Sequence, residues 1–178
     1  MIRPTLAALL LLAGTAQAEM RLTSPDIPED GRLQPDQVFA GFGCTGGNLA
    51  PALAWTGAPD GTRSFVVTVH DPDAPTGSGW WHWAVFDLPA DTDALPEGAG
   101  ATAGLPAPAV QARNDFSRNA YGGACPPEGA DPHRYVFTVY AMPVDSLPLD
   151  ETASSAMVSF FARSSALDSA SLTATYGR

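Results

Sequence analysis

The 178-residue sequence carries nineteen acidic residues against nine arginines and no lysine, a net charge of −10. A surface of that sign excludes nucleic acid and anionic membrane faces as general partners, so any anion must be captured by local donors rather than by the field of the whole molecule. Acidic residues scattered through the chain without a run of like charge read as solvated loops.

In chain order, Met1 to Ala18 has the three-part build of a secretory leader: Arg3, an apolar run from Leu6 to Ala13, and the small-x-small pattern Ala16-Gln17-Ala18. The run is far shorter than the roughly 20 residues that span a bilayer. The reading is therefore a signal peptide over residues 1–18 and one domain over residues 19–178, periplasmic or secreted and not an integral membrane protein; a short buried helix is the competing reading. With Arg3 gone, eight arginines face all nineteen acidic residues, and the net charge moves to −11. About 160 residues suffice to bury a core without a metal.

Short strand candidates follow at Arg21 to Thr23, around Leu33, at Val38-Phe39 and at Leu53 to Trp55. Three longer segments alternate with period two, namely Phe65 to His70, Trp80 to Leu88 and Arg134 to Met142, all rich in β-branched and aromatic residues. Ala94 to Ala109 is dense in Ala, Gly and Pro and reads as a surface loop. One helix is expected, capped by Asp150 and running to Asp168, with Ala153, Met157, Phe160 and Ser164 at three- and four-residue steps, packed on the edge of the sandwich. Ser171 to Tyr176 closes the chain as a last strand. Strands that do not alternate with helices, joined by Gly/Pro loops, indicate an all-β sandwich rather than an α/β sheet.

Cys44 and Cys125 form an even pair in a chain read as exported, which predicts one disulfide; a free buried pair is the alternative. Closing a loop of about 80 residues would stabilise the fold by at most about 4 kcal/mol. Two of the three histidines stand where strands meet Gly/Pro loops. His82 follows the loop from Asp71 to Gly79, sharing a face with Trp80 and Ala84 by simple alternation, while Trp81 and Trp83 share the other. His133 follows Gly122-Gly123-Ala124-Cys125-Pro126-Pro127, whose glycines would let a ligand approach backbone N–H groups.

Asp71-Pro72-Asp73-Ala74-Pro75, Trp80-Trp81-His82-Trp83, Tyr121-Gly122-Gly123-Ala124-Cys125-Pro126-Pro127 and His133-Arg134-Tyr135 together resemble the signatures of the phosphatidylethanolamine-binding protein family, close to its bacterial Raf-kinase-inhibitor-like branch. The resemblance implies a Greek-key β-sandwich of two antiparallel sheets with one or two short peripheral helices. It also implies a small cavity for phosphate or a phosphoryl head group, lined by Asp71, Ala74, Pro75, Trp80, His82, Gly123, Pro126, His133 and Tyr135. A cis Ala74-Pro75 bond is implied likewise, and a Cys44–Cys125 bond would pin the rim of the pocket. The resemblance leaves room for an unidentified protein partner and for a homodimer.

Short-range donors for an anion are expected from the imidazoles of His82 and His133 and from backbone N–H groups near Gly123, with Asp71 orienting an imidazole. Binding should then tighten as the pH falls from about 7.5 to 5.5 and histidines gain charge. No enzyme activity, cofactor or metal is expected. Two other readings stand beside this one: a hydrolase using Asp71 and His82 with Ser78 as nucleophile, against which no GxSxG elbow is found, and a carbohydrate-binding sandwich using Trp80, Trp81 and Trp83.

Overall fold

A computed structural model describes residues 19–28, 31–101 and 103–178; the leader-like stretch and its cleavage point lie outside the described residues. The described residues form ten strands: β1 (Arg21–Thr23), β2 (Ala40–Gly41), β3 (Cys44–Thr45), β4 (Leu53–Thr56), β5 (Ser64–Asp71), β6 (Trp80–Pro89), β7 (Ala94–Leu95), β8 (Val110–Gln111), β9 (His133–Met142) and β10 (Asp168–Tyr176). Among the described residues a single α-helix, α1 (Ser155–Ser165), precedes β10.

The strands build a five-stranded sheet in the order β10-β9-β5-β6-β8 and a three-stranded sheet in the order β1-β4-β7, both antiparallel. β2 and β3 form a separate hairpin. The chain crosses between the sheets before β5, after β6 and before β8, which makes the sandwich. One core fills the space between the sheets: Leu22, Leu53, Trp55 and Leu95 from the small sheet meet Phe65, Val67, Val69, Trp83, Val85, Phe137 and Val139 from the large one. Neither Ala94-Leu95 nor Val110-Gln111 is long enough for alternation to be read, so the predicted surface loop from Ala94 to Ala109 in fact contributes a strand and the buried Leu95 and Ala99.

A second core lies on the outer face of the large sheet, where Val66, Ala84, Phe86, Tyr140 and Met142 pack against Val158 and Ala162 of α1. The helix thus covers a face and not the sandwich edge, and β5, β6 and β9 are apolar on both sides along most of their length. Its cap is Ser154, whose Oγ accepts from the Met157 N–H at 3.2 Å. Asp150 instead closes a turn, accepting from the N–H and hydroxyl of Thr152. The expected apolar stripe also faces the wrong way: Met157 and Phe160 are exposed, while Ser155, Val158, Ser159 and Ala162 are buried. Small side chains let a helix approach a sheet closely, and this outweighs the larger hydrophobicity of the opposite stripe.

Leu33 and Val38 do not lie in strands. Their neighbourhoods contribute single bridges, Arg32 to Thr175 and Val38 to Ala124, and each holds a loop against the sandwich.

Candidate ligand-binding site

The end of β5 and the beginnings of β6 and β9 meet at one end of the large sheet, and each delivers polar side chains there. Asp71, the last residue of β5, is buried. Its Oδ1 accepts from the N–H groups of Asp73 (2.8 Å) and Ala74 (3.0 Å), which closes the loop into an Asx turn, and its Oδ2 accepts from His133 Nδ1 at 2.7 Å. The expected carboxylate–imidazole pair is therefore Asp71 with His133.

Next to it, Asp73 accepts two bonds from the Arg134 guanidinium and one from the Arg134 N–H, which ties the loop to β9. The guanidinium bonds hold the Asp73 carboxyl down at about 2. On the far side of the loop, His70 Nε2 donates to the Ser78 carbonyl and the His70 ring stacks on Trp81 at 4.2 Å.

His82 owes its position to a break in the ladder. Val69 pairs with Trp83 and His70 with Trp81, so β6 holds one residue more than β5 between these pairs, and His82 is that residue. The bulge turns His82 to the side of Trp83 and sets Trp81 and Trp83 on opposite faces, where simple alternation had put them together. Trp83 is fully buried between the sheets, Ala84 belongs to the outer core and Trp81 lies against His70. A coplanar, solvent-facing tryptophan pair for sugar stacking is not formed.

His82 Nδ1 stands 2.6 Å from the Gly122 carbonyl, which can only accept, so the ring donates through Nδ1. Burial lowers its pKa to about 4. The ring thus stays neutral between pH 5.5 and 7.5 and adds no positive charge in the interval where sequence reasoning expected one. It also offers no N–H of its own to an anion at that pH, because its single proton is spent on Gly122.

Asp71, Ala74, Pro75, Trp80, His82, Pro126, His133 and Tyr135 line one cavity of about 340 Å³. Gly123 does not line it: its N–H donates to Asn48 Oδ1 at 2.8 Å, and a Cβ there would lie 2.5 Å from the backbone of Gln37, Val38 and Phe39. The Gly122 N–H is likewise spent, on the His82 carbonyl. Both glycines serve close packing, and the expected backbone donors are not offered to the cavity. The Ala74-Pro75 bond is trans and not cis as the resemblance implied, the cis bond of the described residues being at Ala107-Pro108, and the Asx turn at Asp71 shapes this loop.

Sequence reasoning missed Phe42, Thr76, Phe116, Pro127 and Arg178 in the lining. Phe116 stacks with Phe39 and with Phe42, which is tilted against Phe39, to form an aromatic rim, and Phe116 meets the Trp80 and His82 rings edge-on. Cys125 lines the cavity and is joined to Cys44, which bonds the two rim loops. Arg178 bridges the same loops, donating to the carbonyls of Pro126 (2.7 Å), Gly43 (3.3 Å) and Phe42 (3.5 Å). No local pattern marks a lone arginine as part of a site.

Four buried side-chain polar atoms lack a partner among the described residues, and three of them, Trp80 Nε1, His82 Nε2 and Tyr135 OH, belong to cavity-lining residues. The fourth, Trp55 Nε1, lies in the core between the sheets. No group of three His, Cys, Asp or Glu side chains among the described residues is arranged to hold a metal ion. None of their helices is long and apolar enough to cross a membrane.

A β-sandwich with a walled cavity at the strand ends defines a small-ligand-binding class. Comparison with known proteins makes this specific. The profile of the family described as Phosphatidylethanolamine-binding protein matches residues 23–177. YbcL of Escherichia coli K12 is 46% identical over 178 residues, covering 99% of this chain and 97% of its own, and YbhB of the same organism is 49% identical over 158 residues, covering 88% and 99%. The crystal structure of YbcL, described as a new member of the mammalian PEBP family, superposes with a TM-score of 0.87 at 47% identity, over 90% of this chain and 99% of that one. CT736 of Chlamydia trachomatis superposes with a TM-score of 0.75 at 28% identity, over 90% and 98%. The chain belongs to the phosphatidylethanolamine-binding protein family.

Proposed function

We propose that this chain is an exported, non-catalytic binding protein whose cavity takes phosphate or a phosphoryl head group. The observation that carries the reading is the concentration of unpartnered polar atoms on one cavity. A buried polar group left unpaired costs about 1–3 kcal/mol, and three around a single hollow call for a ligand that supplies their partners. Trp80 Nε1–H and the Tyr135 hydroxyl are donors suited to an oxyanion, and the Arg178 guanidinium, held only by neutral carbonyls, brings a positive charge to the rim of an acidic protein. The aromatic and proline rim suits the carbon portion of an ester.

Binding is favoured over hydrolysis because both Asp71 oxygens are engaged, His82 is bonded to Gly122 and not to Asp71, and Ser78 stands outside the lining. Export is supported by the leader-like first 18 residues and by the Cys44–Cys125 bond, which persists in oxidising compartments. The test is calorimetric titration of residues 19–178, purified without phosphate, with inorganic phosphate at pH 7.5. One site per chain is expected, with loss of affinity in Arg178→Gln. Absence of binding by phosphate and by phosphoethanolamine removes the proposal.

A further inference from the structure

His82 is 3% exposed, and its Nε2 has no partner. Because Nδ1 carries the proton donated to Gly122, a neutral ring presents a lone pair at Nε2 and can only accept there. Its ring neighbours, Tyr135 at 5.1 Å and Phe116 at 5.5 Å, meet it edge-on, and the Tyr135 hydroxyl is itself unpartnered, so neither group supplies the missing donor. Burial disfavours the imidazolium, and the lone pair persists at neutral pH. The cavity therefore sets an unpartnered acceptor, His82 Nε2, beside the Asp71 carboxylate, whose oxygens already accept from Asp73, Ala74 and His133, and against the Trp80 and Arg178 donors and the Tyr135 hydroxyl, which can act either way.

Oxyanions differ in how they meet such a set. Sulfate at neutral pH bears no proton and turns a lone pair toward Nε2 however it sits. Hydrogen phosphate carries an O–H that can donate to Nε2 while its remaining oxygens accept from Trp80, Tyr135 and Arg178. A phosphate diester is an anion with no proton to give and stands with sulfate.

Resting on the oxyanion reading above, we propose that His82 makes the cavity a reader of ligand protonation, selecting hydrogen phosphate and singly protonated phosphate monoesters over sulfate and phosphate diesters. The device needs no charge on the imidazole. It uses the fixed direction of one hydrogen bond.

The test compares inorganic phosphate, sulfate and dimethyl phosphate by calorimetric titration of residues 19–178 at pH 7.5 and constant ionic strength. Phosphate should bind on the order of tenfold or more tightly than sulfate, the effect of one unpaired buried acceptor, with dimethyl phosphate no better than sulfate. His82→Gln, whose amide can turn an N–H toward the same spot, should narrow the gap between phosphate and sulfate. Circular dichroism establishes whether that variant folds, and the comparison on the native protein stands without it.

If phosphate and sulfate bind equally well, or sulfate binds better, this inference falls while the oxyanion reading survives. If neither binds, both fall. An unchanged preference in folded His82→Gln also overturns the role given to His82.

Discussion

Acidification should weaken the fold through His82 by an amount that follows from its burial. The folded-state pKa of about 4 lies below the ordinary value of 6.5, so on lowering the pH the unfolded chain takes up this proton first. The stability tied to the neutral ring is intact above pH 6.5, drains as the pH falls toward 4, and declines no further below that. Between pH 7.5 and 5.0 the loss is about 2 kcal/mol, and the whole interval is worth about 3 kcal/mol, at about 1.36 kcal/mol per pH unit.

Urea unfolding of residues 19–178 at the two pH values, in the native protein and in His82→Gln, isolates this group from other titrating residues. The native midpoint should drop by about 1 M more than that of the variant, taking a slope near 2 kcal/mol per molar urea. Equal losses in the two proteins would refute the reasoning, since the pH dependence would then come from groups other than the ring bonded to Gly122.

Replacing Cys44 and Cys125 by serine together should destabilise the protein by up to about 4 kcal/mol in urea unfolding, because the bond closes a separation of 81 residues, and should weaken phosphate binding through a looser rim. Gly123→Ala should cost about 1–3 kcal/mol, since the new methyl would press on the backbone of Gln37 to Phe39, whereas Gly77→Ala, with open space around it, should stay within about 0.5 kcal/mol. For the helix, Ala162→Leu should lower the thermal midpoint by overpacking the outer core, and Phe160→Ser should leave it nearly unchanged, the reverse of what the expected apolar stripe would require.

The long strands were legible because their alternation is carried by their own residues: Phe65, Val67 and Val69 do face one core and Val66 the other. So were the sandwich class and eight of the nine cavity residues named from the family's signatures. What could not be read depended on partners distant in the chain. The bulge in β6 exists only relative to the pairing of β5, so counting along Trp80 to Ala84 put Ala84 on the wrong face and grouped Trp81 with Trp83. Gly123 offered the signal of a ligand-facing amide and proved to be a packing glycine, because the competition for its N–H is won by Asn48, 75 residues earlier in the chain. Ser154 and Asp150 are both good caps by type, and which one starts the helix was decided by the fit of Ser155 to Ala162 against the sheet.

The surplus place of His82 in β6 separates architecture from recognition. Without that residue, the pairs Val69–Trp83 and His70–Trp81 would simply become neighbours in a regular ladder, with Trp80 and Trp83 still inward and Trp81 still outward. What the scaffold takes from this residue is mainly its carbonyl, which accepts from the Gly122 N–H and the Asn114 amide, so exchange of the side chain alone can retune what the hollow accepts while the pairing on either side stays as it is.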